Sequence, residues 1–168
     1  VFQDFNLMNT LTVEENIVLP LTLDGERVKV MEEKVRRVAE RLGIEPILKK
    51  RTYEISGGQA QRTAIARAII HSPKLLFADE PTGNLDSKAS RAVMETLEAI
   101  NRYDRTTMML VTHDALAASY CHRVIFIKDG QIFNEIHRGD SRQAFFQKII
   151  DVLSLLGGNA HDLSSIRV

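Results

Sequence analysis

Two short apolar runs, each ending in polar or acidic residues and separated by a stretch of helical period, constrain this chain more than any other feature. Leu75-Leu76-Phe77-Ala78 runs into Asp79-Glu80, and Met108-Met109-Leu110-Val111 runs into Thr112-His113-Asp114. Continuous apolar runs of this length suit strands of a parallel sheet, which is covered by helices on both faces. The residues between them, Ser87 to about Arg102, read as a helix. Strand, helix, strand predicts a parallel α/β unit.

Adjacent carboxylates at the end of an apolar strand are costly unless a cation or ligand compensates them. Ligands of open α/β sheets sit outside the carboxyl ends of the strands. That position would let Asp79 hold Mg²⁺, commonly through water, and let Glu80 polarise an attacking water. The pattern is equally met by two carboxylates solvated in a loop, or by one of them capping the next helix.

The first seventy residues read as a small helical lobe. Thr12 and Glu15 stand three apart in a capping-box arrangement before a first helix. Val28, Met31, Val35, Val38, Ala39 and Leu42 recur at helical steps, and Gly43 stands where a C-terminal cap belongs. A third helix follows Ser56-Gly57-Gly58, with Ile65, Ala68 and Ile69 on one side and Pro73 beyond its end. After the second apolar run, 123–127 and 132–136 flank Lys128-Asp129-Gly130-Gln131 as a hairpin. A last amphipathic helix carries Phe145, Phe146, Ile149, Ile150, Leu153 and Leu156, and the tail after Gly157-Gly158 is expected to be loosely held.

Basic and acidic side chains number 22 each, so no broad basic footprint argues for a nucleic-acid partner. The single cysteine, Cys121, cannot close an internal disulfide, and no apolar run approaches a membrane helix. A cytosolic, reducing location is the expectation. Val1-Phe2 reads as the end of an apolar strand with no turn or cap before it, so a stretch is expected to be missing at the N-terminus.

Ile55-Ser56-Gly57-Gly58-Gln59 places a hydroxyl and successive backbone amides at the positive end of a helix, a place that can hold phosphate. Ser56 could instead be only a helix cap, with the glycines in an ordinary turn, and without context the turn is favoured. His113, after the second strand, could reach the same ligand edge and hydrogen-bond a transferring phosphate, although a lone histidine more often has no such role. Gln3 offers a neutral oxygen for Mg²⁺ or the attacking water. None of these decides the matter alone.

In order and spacing, Gln3, Ile55 to Gln59, Leu75 to Glu80, Asn84-Leu85-Asp86 and His113 resemble the ABC ATPase family. The resemblance makes Gln3 the Q-loop glutamine, Ile55 to Gln59 the signature, and Leu75 to Glu80 the Walker B strand with its catalytic glutamate. Asn84, Leu85 and Asp86 become the D-loop, and His113 the switch histidine. It covers Val1 to about Ile136, with isoleucine at position 55 where leucine is usual. It implies the C-terminal part of a RecA-like P-loop NTPase core with an inserted α-helical subdomain. The implied boundaries are 1–6 for the end of a core strand and the Q-loop, 7–72 for the helical subdomain, 73–140 for the core and 141–168 for the C-terminal helix and tail.

The D-loop, Gly83 to Ser87, is similar to the branch serving macrolide exporters, lipoprotein-release systems and peptide-antibiotic pumps. Phe126 to Gly130 and Phe145 to Ile150 are most similar to its bacitracin-resistance type. The resemblance implies an ATPase using ATP and Mg²⁺ on the cytoplasmic face of a membrane. Its partners would be a permease and a second ATP-binding subunit, with Ser56, Gly57, Gly58 and Gln59 contacting ATP held by that subunit. Glu80 and His113 would be catalytic, Gln3 and Asp79 would face the metal, and Asp86 would link the two sites. Phe5, Leu11 and Glu15 would lie near the groove that receives the permease.

The family's P-loop should precede Gln3, yet no GxxxxGK[ST] occurs in the 168 residues. The expectation is a fragment that neither binds MgATP tightly nor hydrolyses it alone. Three rivals remain: a naturally shortened module that regulates a permease or an intact ATPase, a translation-associated protein with two cassettes, and a DNA-maintenance ATPase. The last inserts a coiled coil for which Gln3 to Ser56 leaves no room.

Overall fold

The computed structural model describes residues 1–157. Contacts divide it into two compact units, Val1–Thr112 and a second beginning at His113.

The first unit opens with α1 (Val13–Leu23), α2 (Val28–Leu42) and α3 (Gly57–Ile69). α1 starts where local chemistry dictates: Thr12 Oγ1 accepts from the Glu15 amide, and the Glu15 carboxylate accepts from the Thr12 amide. Such a cap contributes about 1 kcal/mol. α2 buries Val35, Ala39 and Leu42, then ends as Gly43 turns left-handed at φ 63°. Val28 lies outside that stripe and is exposed.

The periodicity of α3 gave it one apolar side, but the helix is enclosed more completely. Gln61 and the run from Thr63 to Ala66 are all buried, while Ala68 is only half-buried. The reason is position, since α1, α2 and α4 (Ser87–Asp104) all pack on it. A helix covered on several sides loses the single-stripe pattern of a surface helix.

β1 (Leu75–Asp79) and β2 (Thr107–Val111) pair in parallel, Leu75 opposite Thr107 and Asp79 opposite Val111, with α4 as the connection. Val1 lies along the other side of β1, its nitrogen donating to Phe77 O at 2.7 Å and its carbonyl accepting from Asp79 N at 2.9 Å. These bonds have parallel-ladder geometry, although no strand is formed there. The expected burial on both faces is not met within the described residues. Leu76 and Ala78 are buried, whereas Leu75 and Phe77 are 47% and 60% exposed, as are Met109 and Val111 at 56% and 54%.

The second unit contains a one-turn helix α5 (Ala115–Ala118), which the sequence pattern did not predict. The hairpin β3 (Arg123–Lys128) and β4 (Gln131–His137) and the helix α6 (Arg142–Gly157) follow. The hairpin turns through Asp129 and Gly130, both left-handed, as a tight two-residue turn matched to strand twist requires. Ala118, Phe126, Phe145, Ile149 and Val152 form its core. Val152 was absent from the predicted apolar face of α6, while Leu153, placed on it, is more exposed. The tail after Gly157 lies outside the described residues. Among the described residues no helix is long and apolar enough to cross a membrane.

Candidate functional site

In the first unit, segments far apart in sequence meet around the C-terminal end of β1. Glu80 follows the strand directly and takes φ 42°, a left-handed conformation that disfavours residues carrying a Cβ. Its amide donates to Val111 O at 2.9 Å, its carbonyl accepts from Gly83 N at 3.0 Å, and Thr112 Oγ1 donates to its Oε2 at 3.0 Å. Backbone and carboxylate are therefore both tied to the end of β2, through Val111 and Thr112. Asp79, one residue earlier, is exposed. Neither carboxylate caps the next helix: Asp86 does, its Oδ1 accepting from the Lys88 and Ala89 amides at 2.9 Å each.

Gln3 stands beside the loop between β1 and α4. Its Nε2 donates to Asn84 Oδ1 at 3.2 Å, and Asn84 Nδ2 donates to Asp4 Oδ1 at 2.9 Å and to Gln3 O at 3.4 Å. A Cβ on Gly83 would fall 2.8 Å from Gln3 Cδ and would push the glutamine side chain away. The glutamine side chain thus lies against the bare backbone of that loop.

Ser56 caps α3. Its Oγ accepts from Gln59 N at 3.3 Å, and Gln59 Oε1 accepts from Ser56 N at 2.9 Å. The Ser-x-x-Gln spacing carries this reciprocal cap, which the reading of Gln59 as a ligand contact passed over. Gly57 and Gly58 supply the first two amides of the helix, which the intrahelical ladder cannot use. Both glycines also permit close packing: a Cβ on Gly57 would meet Leu85 Cδ2 at 3.2 Å, and one on Gly58 would meet Ala89 Cβ at 3.2 Å. The start of α3 is therefore pressed against the segment from Asn84 to Ala89.

Two residues of α3 that sequence reasoning missed hold the neighbouring backbone. Gln61, fully buried, donates from Nε2 to Pro81 O at 2.5 Å and to Phe2 O at 3.3 Å. Its Oε1 is buried with no hydrogen-bond partner among the described residues. An amide flip would set that oxygen against two carbonyls, so the orientation is fixed by its acceptors. Arg67 donates to Asn6 O at 2.8 Å and Phe5 O at 3.1 Å, and burial pulls its guanidinium below its ordinary pKa. Phe5 and Asn6 are both left-handed, at φ 60° and 48°, a conformation costing about 1–2 kcal/mol per residue.

A shallow groove of about 210 Å³ is lined by Asp4, Phe5, Leu7, Asn9, Thr52 and Ile55, together with Gly57 and Ala60. Phe5 lines it, whereas Leu11 and Glu15 do not. In the second unit His113 is exposed and stands two positions beyond the end of β2.

No group of three or more His, Cys, Asp or Glu side chains among the described residues forms a metal cage. The candidate donors are one exposed carboxylate, Asp79, and the amide of Gln3. This fits Mg²⁺, which is usually held by one or two carboxylates, waters and substrate phosphates rather than by an all-protein cage.

A family model described as ABC transporter matches residues 1–83. The chain is 66% identical over 168 residues to the ABC transporter ATP-binding protein YxdL of Bacillus subtilis (strain 168), covering 100% of this chain and 65% of that protein. It is 52% identical over 163 residues to the bacitracin export ATP-binding protein BceA of Halalkalibacterium halodurans, covering 96% and 64%. Among solved structures, the dimeric post-hydrolysis state of the ATP-binding cassette MJ0796 bound to ADP and Pi superposes with a TM-score of 0.71 at 35% identity, covering 82% of this chain and 62% of that one. The chain spans just under two thirds of the length of these curated relatives.

Proposed function

We propose that the chain, similar along its whole length to ABC transporter ATP-binding proteins, forms the signature and water-activating portion of an ATP-hydrolysing transporter subunit. The observation that carries this reading is the meeting of Gln3, Glu80, the loop at Asn84 and the start of α3, drawn from positions up to 81 residues apart.

Glu80 orients the attacking water and takes its proton on the carboxylate, while the Thr112 hydroxyl holds that carboxylate and Val111 O holds the Glu80 amide. Asp79 and Gln3 would hold Mg²⁺. When bound, Mg²⁺ neutralises charge on the phosphate oxygens. Ser56 Oγ receives the Gln59 amide, so its own proton remains available to a phosphate oxygen, alongside the Gly57 and Gly58 amides and the positive end of α3. These donors act on ATP held by a second subunit. Asp86, at the cap of α4, belongs to the surface linking the two sites, and His113 donates to the γ-phosphate.

The groove at Asp4, Phe5 and Thr52 takes a helix of a membrane permease, with the subunit on the cytoplasmic face of the membrane. Likeness to a protein named for bacitracin export supports an antimicrobial peptide as the transported class. The division at 1–6, 7–72, 73–140 and 141–168 is kept as the subdomain reading. The 168 residues hold no GxxxxGK[ST], so the chain alone should show neither tight MgATP binding nor turnover. Joined to a P-loop in one protein it should hydrolyse ATP, and Glu80→Gln should abolish turnover while sparing nucleotide binding. Turnover that survives Glu80→Gln would sink the proposal.

A shortened regulatory module is the second reading. Recovery of the 168-residue chain with a permease, and no ATP turnover in the recovered complex, would favour it.

A further inference from the structure

α3 grips the chain on both sides of Gln3. Before it, Gln61 holds Phe2 O, and after it, Arg67 holds Phe5 O and Asn6 O. The Gln61 amide also holds Pro81 O, the residue after Glu80. We propose that Arg67 and Gln61 are positioning residues through which the signature helix sets where Gln3 stands relative to the end of β1.

Three observations carry this. Two successive residues with side chains, Phe5 and Asn6, occupy a left-handed conformation, and such a pair persists only where surrounding contacts over-determine it. The Arg67 guanidinium supplies that constraint with a planar, two-point grip that a flexible ammonium cannot reproduce. Gln61 is enclosed at 0% exposure with one oxygen unpaired, an arrangement poor for stability alone and intelligible when both amide hydrogens are needed on two separate loops. A rotation of α3 would displace Gln3 and the backbone after Glu80 in the same movement.

The inference rests on the proposed role of Gln3 toward the metal, and its test separates the two. Amide exchange at Phe5 and Asn6, measured in the P-loop-containing protein, should quicken about tenfold in Arg67→Gln, while amides in the middle of α3 keep their protection. Arg67→Lys should fall between, and it carries the test if Arg67→Gln does not fold. In turnover, Arg67→Gln should raise the Mg²⁺ concentration giving half-maximal rate severalfold with little change in kcat, and this effect should vanish in a Gln3→Ala background. Unchanged exchange, or effects of Arg67→Gln and Gln3→Ala that simply add, overturn the proposal. If the wild type shows no Glu80-dependent turnover, the functional reading fails, and the exchange rates still decide whether Arg67 holds the Gln3 segment.

Discussion

Thr112 Oγ1 donates to Glu80 Oε2 at 3.0 Å, joining the residues that follow the two parallel strands. A hydrogen bond to a carboxylate is worth about 1.5–3 kcal/mol, enough to change how a water-activating glutamate is held. Thr112→Val keeps the shape and removes the donor. In the P-loop-containing protein, turnover should fall about tenfold or more with ATP affinity retained, because an interaction directed at the reacting geometry is lost. Single-turnover ATPase measurements with a parallel nucleotide-binding titration check this.

Glu80 also carries a backbone cost at φ 42°. Glu80→Gly and Glu80→Ala both delete the carboxylate, yet only alanine keeps a Cβ in the left-handed region. Glycine should be the more stable of the two by about 1 kcal/mol in urea unfolding, and equal midpoints would remove the claim of strain.

The two roles of Ser56 can be separated by one substitution. Aspartate is as good a helix cap as serine and suits the positive end of α3, but it presents a negative charge to phosphate. Ser56→Asp should match or exceed the wild type in thermal stability while losing ATP-dependent dimer formation and turnover. A destabilised Ser56→Asp would mean that the cap geometry differs from that described, and intact turnover would remove the phosphate role.

At Gly57 the space is occupied by Leu85, whose Cδ2 would lie 3.2 Å from an added Cβ. The contact is with the end of a side chain, so Gly57→Ala should fold, with stability within about 1 kcal/mol of wild type because the helix gains from losing glycine. ATP-dependent dimerisation should weaken as Leu85 is pushed aside. Leu85→Ala in the same chain should restore part of it if displacement of Leu85 is the cause, which analytical ultracentrifugation with ATP would report.

The elements were legible wherever the information is local. Thr12 and Glu15, Gly43, and the Asp129-Gly130 turn each specify a start, a stop or a reversal within four residues, and all three fall where the pattern put them. The parallel pairing of β1 and β2 followed from two apolar runs separated by a helix. α5 was not legible, because one turn is shorter than a helical period can reveal. The one-sided reading of α3 failed for a related reason: burial by three neighbouring helices is imposed from outside the segment and leaves no stripe.

At the site, the sequence singled out Gln3, Ser56, Asp79, Glu80, Asp86 and His113 as candidates, Asp86 by family resemblance alone and the others by residue type and position together with that resemblance. Only the tertiary structure decided what holds Gln3 and Glu80. The contacts of Gln3 with Asn84, of Gln61 with Phe2 and Pro81, and of Arg67 with Phe5 and Asn6 span from 20 to 81 positions. All of them except the Gln3–Asn84 side-chain pair end on main-chain carbonyls. A carbonyl is the same in every residue, so which one a buried glutamine or arginine grips is settled by how the helices pack and leaves no mark in the local sequence.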